Sequence, residues 1–302
     1  MTRRRLTLPI ITTTLAGLVL LVGCSTPSSF AAERTDRVVS INDIGYGSAA
    51  GQDLKLNACL PPKRFGLTPA VVLVHGGGFD SGTKDAEGMK TLCALLAEEG
   101  IAGFSVDYRL MPKFSYPAQV NDVSTAVRWL RETGQQSRFG VDPTRVGLFG
   151  SSAGAIIVSS VGTTGEGSTA TGTRVAAVVA LSPATDLTAQ GLKLGLPTAS
   201  KMRMVYGYLG CTDITSCPNA RPASPLYGVD STDPAFYIAI SDNEVVPVGH
   251  GLVMRDALIA ADVPVTLDVR KGTKHGLSLL DSTMRADIAH FLTSSLVTKH
   301  QP

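Results

Sequence analysis

The pentapeptide Gly150-Ser151-Ser152-Ala153-Gly154 can carry a serine hydroxyl on a sharp strand-to-helix turn. Arg145–Phe149 ahead of it is a short stretch of strand type, and Ala155–Ser160 behind it reads as the start of a buried helix. Strand, G-x-S-x-G and helix together make a nucleophile elbow, with Ser152 central and Ser151 only its neighbour. With 31 glycines in 302 residues a chance match is not rare, so the partners decide. A serine hydroxyl attacks well only when a base takes its proton. Of histidines 75, 250, 275, 290 and 300, His275 stands in Gly272-Thr273-Lys274-His275-Gly276, between the last strand and the last helix. That completes the order nucleophile, acid, base. His290 and His300 read as surface residues, and His250, opening a helix after Val246-Pro247, is a weak rival. His75-Gly76-Gly77-Gly78-Phe79 follows an apolar strand, so backbone N–H groups there can meet a developing oxyanion, as acyl transfer requires. A phosphate loop would end in Gly-Lys-Ser/Thr, and a dinucleotide fold would show G-x-G-x-x-G; neither is present.

These residues need a frame, and β-α alternation supplies it. Val38–Asn42 and Leu54–Leu60 read as antiparallel opening strands around a Gly45–Gly51 turn. Pro69–Val74, Ile101–Tyr108, Val146–Phe149, Val175–Leu181, Phe236–Ile240 and Val263–Val269 follow as strands. Helical periodicity covers Ala86–Glu98, Ala118–Glu132, Val248–Ala261 and Ser282–Leu296. The pattern predicts an α/β fold with a doubly wound, mostly parallel sheet flanked by helices. Such sheets bind ligands at the carboxyl ends of their strands, where the serine, the glycine run and His275 all fall. Residues 187–234 interrupt the alternation and read as an insertion that can form a partial lid.

Arg3, Arg4 and Arg5 precede an apolar run to Val22 that closes on Leu21-Val22-Gly23-Cys24. The ending resembles a bacterial lipobox, which implies an exported lipoprotein anchored to the membrane through Cys24. Residues 1–23 are then a signal peptide, 24–37 a flexible tether, and 38–298 the folded domain. The chain carries 27 Lys+Arg against 25 Asp+Glu; loss of three arginines with the signal leaves 24 against 25, or −1. No basic surplus remains for nucleic acid. Export permits disulfides. Cys211 and Cys217 are close enough in sequence for a local bridge, while Cys59 and Cys93 either pair or stay as buried thiols. No Cys/His spacing suggests a metal site, and no cofactor is expected.

His75-Gly76-Gly77-Gly78, Asp107-Tyr108-Arg109-Leu110, Asp142-Pro143 with Arg145, and Gly150–Gly154 occur in one order over most of residues 50–280. Jointly they resemble the hormone-sensitive-lipase-like branch of the α/β-hydrolases. The resemblance implies an oxyanion hole from the N–H groups of Gly77, Gly78 and Ala153. It also implies that His75, Asp107, Tyr108 and Arg109 brace the surrounding loops; Asp122 and Asp186 read as braces too. In that branch an aspartate commonly stands four residues before the proline equivalent to Pro247, which here is Asn243. Asp242, nearest the strand end, is the expected acid, and Glu244, with a longer arm, the alternative. About fifteen residues separate Cys24 from the first strand, so the helical cap of many relatives is expected to be absent or minimal. The expected activity is hydrolysis of carboxylic esters, short-acyl or acetyl, small or polymer-borne, through an acyl-enzyme. A serine amidase or peptidase is the alternative, and a non-catalytic cell-envelope binding lipoprotein the second.

Overall fold

The computed structural model describes residues 37–62, 66–195 and 197–296. The expected signal peptide, Cys24 and almost all of the tether lie outside them. Two long strands, β1 (Val39–Ala49) and β2 (Gln52–Leu60), form an antiparallel hairpin. Its turn is narrower than the expected Gly45–Gly51 span: Ala50 and Gly51, both at positive φ, close it alone. The glycines at 45 and 47 fall instead within β1, where the register shifts.

β3 (Thr68–Val74), α1 (Glu87–Glu98), β4 (Ala102–Val106), α2 (Ala118–Leu130) and α3 (Thr133–Phe139) follow. Next come β5 (Val141–Ser151), α4 (Ala153–Gly162), β6 (Ala177–Leu181), α5 (Ala199–Leu209) and β7 (Ala235–Ser241). The described residues close with α6 (Gly249–Ala260), β8 (Val265–Arg270) and α7 (Ser282–Ser295). The sheet order is β1-β2-β4-β3-β5-β6-β7-β8, parallel from β4 onward and antiparallel where β2 meets β4.

Each central strand is buried on both faces, which is why its sequence is a continuous apolar run. Along β3, Ala70, Val72 and Val74 join a core layer with Val123 and Val127 of α2, Ile157 of α4 and Leu258 of α6. Val71 and Leu73 face the other way, toward Met89 and Leu96 of α1 and Ile288 and Leu292 of α7. This three-layer arrangement, helices on both faces of one sheet, puts every strand-to-helix turn from β3 onward at one end of the sheet. Cys59 of β2 is joined to Cys93 of α1, a pairing that the sequence left open, and Cys211 to Cys217 just after α5. Among the described residues no helix is long and apolar enough to cross a membrane.

Candidate active site

Ser152 occupies the turn between β5 and α4 at φ 55° and ψ −118°. A non-glycine residue there is strained by about 1–3 kcal/mol, so the surroundings must impose it. They do so by crowding. A Cβ on Gly150 would press on the Gly154 carbonyl, and one on Gly154 on the carbonyls of Val74 and His75. Only glycines let β5, α4 and the β3 end approach so closely. The Ser152 N–H donates to Leu181 O at 2.8 Å, which ties the turn to β6.

Ser152 Oγ lies 2.8 Å from His275 Nε2. His275 Nδ1 meets the Glu244 carboxylate, whose side chain is wholly buried while the imidazole keeps 29% of its surface. Glu244 Oε1 accepts from the Ser182 hydroxyl at 2.7 Å and from the Ser241 N–H at 3.0 Å. The acid facing His275 is therefore Glu244, not the expected Asp242. Asp242, the first residue past β7, stays bonded to the end of β8, its N–H donating to Arg270 O at 2.8 Å. Its carboxylate accepts from the Gly272 N–H and from Lys271 Nζ, each at 2.9 Å. Those two partners, the backbone N–H first, hold its carboxyl below the usual range. Asn243 continues the pairing through Gly272 O, so the chain turns back over the sheet end only at residue 244.

The glycine run packs on the elbow. A Cβ on Gly76 would stand 2.9 Å from Ser151 O and 3.2 Å from Ser152 Cβ. Gly77 and Gly78 take φ values of 112° and 63°, open to glycine. The Gly77 carbonyl is engaged by the N–H and hydroxyl of Ser81, at 3.1 and 2.8 Å. The Gly77 and Gly78 N–H groups have no protein acceptor among the described residues, and Ala153 N–H, in the first turn of α4, has none within the helix. Around this loop Tyr108 stacks on His75 with ring centroids 4.3 Å apart and donates to its carbonyl at 3.0 Å. Burial holds the His75 pKa below its ordinary value. Arg109 makes a fork to Asp122, with contacts of 2.7 to 3.0 Å, and Asp107 accepts from the Lys84 N–H at 2.7 Å.

Ser152 and His275 open into a small cleft of about 100 Å³ with largely apolar walls, among them Phe79, Ile156, Leu187 and Val246. Lys201, Met204 and Val205 of α5 line it, so part of segment 187–234 forms one wall.

The BD-FAE family model matches residues 56–258, more than half of the chain. The chain belongs to the BD-FAE family. The matched span takes in the glycine run, Ser152 and Glu244 and stops short of His275. Curated relatives align over shorter stretches. Carboxylesterase NlhH of Mycobacterium tuberculosis is 34% identical over 114 residues, 38% of this chain and 34% of that protein. Arylacetamide deacetylase of Bos taurus is 32% identical over 111 residues, 36% of this chain and 28% of that protein. The chain thus spans about a third or less of the length of either relative. A truncated carbohydrate esterase from gut microbiota superposes with a TM-score of 0.74 at 22% identity, covering 88% of this chain and 99% of that one. A Pyrobaculum calidifontis esterase gives 0.68 at 24% identity, covering 87% and 86%. These likenesses establish the α/β-hydrolase fold of the BD-FAE chain.

Two residues of this BD-FAE site escaped the sequence reading. Ser182 carries no motif; its position just after a buried strand is the one signal, and its φ of 58° shows that the chain turns sharply there. His250, a rival base by sequence, lines the cleft, but Ser152 Oγ bonds His275 and the His250 ring bonds the Asp186 N–H.

Proposed function

We propose that this protein is a serine hydrolase of carboxylic esters, working through an acyl-enzyme. The observation that carries the reading is the 2.8 Å contact of Ser152 Oγ with His275 Nε2, beside backbone N–H groups that have no protein acceptor among the described residues. Ser152 Oγ attacks the ester carbonyl carbon while its proton passes to His275 Nε2. The buried Glu244 carboxylate holds the Nδ1–H and stabilises the imidazolium as it forms. The carbonyl electron pair moves onto oxygen, where Gly77, Gly78 and Ala153 N–H groups receive it. On collapse the alkoxide leaves with the proton from His275. Water then gives a proton to His275 and attacks the acyl carbon, and Ser152 departs with that proton. The small apolar cleft suits short-acyl or acetyl esters on a small molecule or a polymer. Export and anchoring through a lipidated Cys24 complete the reading.

A fluorophosphonate probe tests it. Wild type is expected to take up the label and to hydrolyse p-nitrophenyl acetate, and Ser152→Ala to do neither. Unlabelled wild type would sink the proposal and leave a non-catalytic binding protein. The relative named arylacetamide deacetylase makes amide cleavage a second reading; p-nitroacetanilide in the same assay separates the two.

A further inference from the structure

One polar group in the cleft takes no part in these proton transfers. His250 is the second residue of α6 and 6% exposed, and its ring borders the cleft into which Ser152 and His275 open. The Asp186 N–H approaches its Nδ1 at 3.4 Å, and the Thr185 hydroxyl donates to its carbonyl at 2.7 Å. A ring nitrogen that accepts an N–H carries no proton, so the neutral imidazole is protonated on Nε2. Burial keeps the ring neutral, drawing its pKa down to about 4 against the opposite pull of Asp186. The Asp186 carboxylate is itself occupied, by the N–H and hydroxyl of Thr188 at 2.9 and 2.6 Å and by the Tyr227 hydroxyl at 3.1 Å. The Asp186 N–H is the one hydrogen-bond partner of the ring among the described residues, so Nε2–H has no protein acceptor there.

A fixed neutral N–H donor in a largely apolar wall discriminates. It favours a ligand that brings an oxygen to it and disfavours one that removes its water and offers only carbon. Granting the hydrolase reading above, we propose that His250 Nε2–H is a specificity-determining donor that selects esters carrying an ether or hydroxyl oxygen. Esters of the same shape with a methylene at that point are turned over less well.

Matched esters test this without identifying the natural substrate. The acyl arm compares p-nitrophenyl methoxyacetate with the butyrate, and 3-methoxypropanoate with the pentanoate. The alcohol arm compares 2-methoxyethyl acetate with butyl acetate. His250→Gln keeps a donor near the Nε2 position. His250→Asn keeps the acceptor for the Asp186 N–H but falls short of the cleft, and His250→Leu loses both nitrogens. In one arm the ratio of kcat/KM for oxygen ester over carbon ester is expected to fall about tenfold in the Asn and Leu variants, about 1.4 kcal/mol. His250→Gln should hold that ratio within about twofold of wild type. A purely structural role would lower both esters of a pair alike. Ratios unchanged in both arms, while wild type hydrolyses the carbon esters, overturn the His250 assignment alone. No hydrolysis of any ester by wild type overturns the hydrolase reading and this proposal with it.

Discussion

The Ser182 hydroxyl accepts from the Gly276 N–H at 2.8 Å and donates to Glu244 Oε1 at 2.7 Å. One small side chain thus holds the acid and the loop that presents His275. Glu244→Gln replaces an acceptor by an amide that cannot stabilise the imidazolium, and kcat is expected to fall about 10³–10⁴-fold. Asp242→Asn should stay within about threefold of wild type, because its partners are Gly272 and Lys271 at the β8 edge. Steady-state kinetics on p-nitrophenyl acetate checks both; the reverse ranking would restore Asp242. The acid was hard to read because distance from the strand end misleads when a strand keeps pairing. Past the end of β7, the N–H groups of Asp242 and Asn243 still bond Arg270 O and Gly272 O, and only the next residue is released toward the histidine. The serine and the histidine were legible because each stands in a short loop whose flanking elements are unambiguous. His250 carries a prediction for stability as well. Unfolded, a histidine titrates near 6.5, and His250 when folded near 4. Between those values the unfolded chain binds the proton and the folded chain does not. Stability is therefore present above pH 6.5 and is lost as pH falls toward 4, by at most roughly 3 kcal/mol from this group. Melting curves at pH 7 and 4.5 should show a smaller acid-induced drop in His250→Gln than in wild type. Equal drops would mean that His250 is charged in the folded protein at pH 4.5.

Between elements, close approach governs the elbow. Gly154→Ala would drive a methyl into two backbone carbonyls of the β3 end. Backbone cannot rotate away as a side chain can, so the variant is expected to lose more than about 3 kcal/mol of stability and all esterase activity. A folded, active Gly154→Ala would refute the packing argument. The two disulfides should differ in weight. Cys59–Cys93 closes a loop of sequence separation 34 and Cys211–Cys217 one of 6. Chain-entropy reasoning gives about 4 and about 2 kcal/mol. Urea unfolding of the two paired Cys→Ser variants should rank them in that order. The long apolar strands and amphipathic helices were legible because burial leaves a periodic trace. The segment between β6 and β7 was legible only as an interruption: α5 buries just two residues completely, too little for a helical pattern.

Across the whole molecule, five strand ends each deliver one part of the site: Gly76–Gly78 after β3, Ser152 after β5, Ser182 after β6, Glu244 after β7 and His275 after β8. Alternation of strands and helices revealed the class of sheet. The order, with β4 outside β3, depends on pairings between residues far apart in the chain and leaves no local trace. The proposed anchoring is tested at this scale as well. After expression in a bacterial host, wild type is expected in the membrane fraction and Cys24→Ser in the soluble one; a variant that stays with the membrane would refute the lipobox reading. Residues 187–234 of the crossover from β6 to β7 contribute Met204 and Val205 to the cleft, whereas Ser152, Ser182, Glu244 and His275 all lie outside that stretch. Pocket wall and reactive triad thus occupy separable stretches of the chain. Exchanging residues 187–234 for those of a homologue is expected to reshape the cleft while leaving Ser152, Glu244 and His275 where they are.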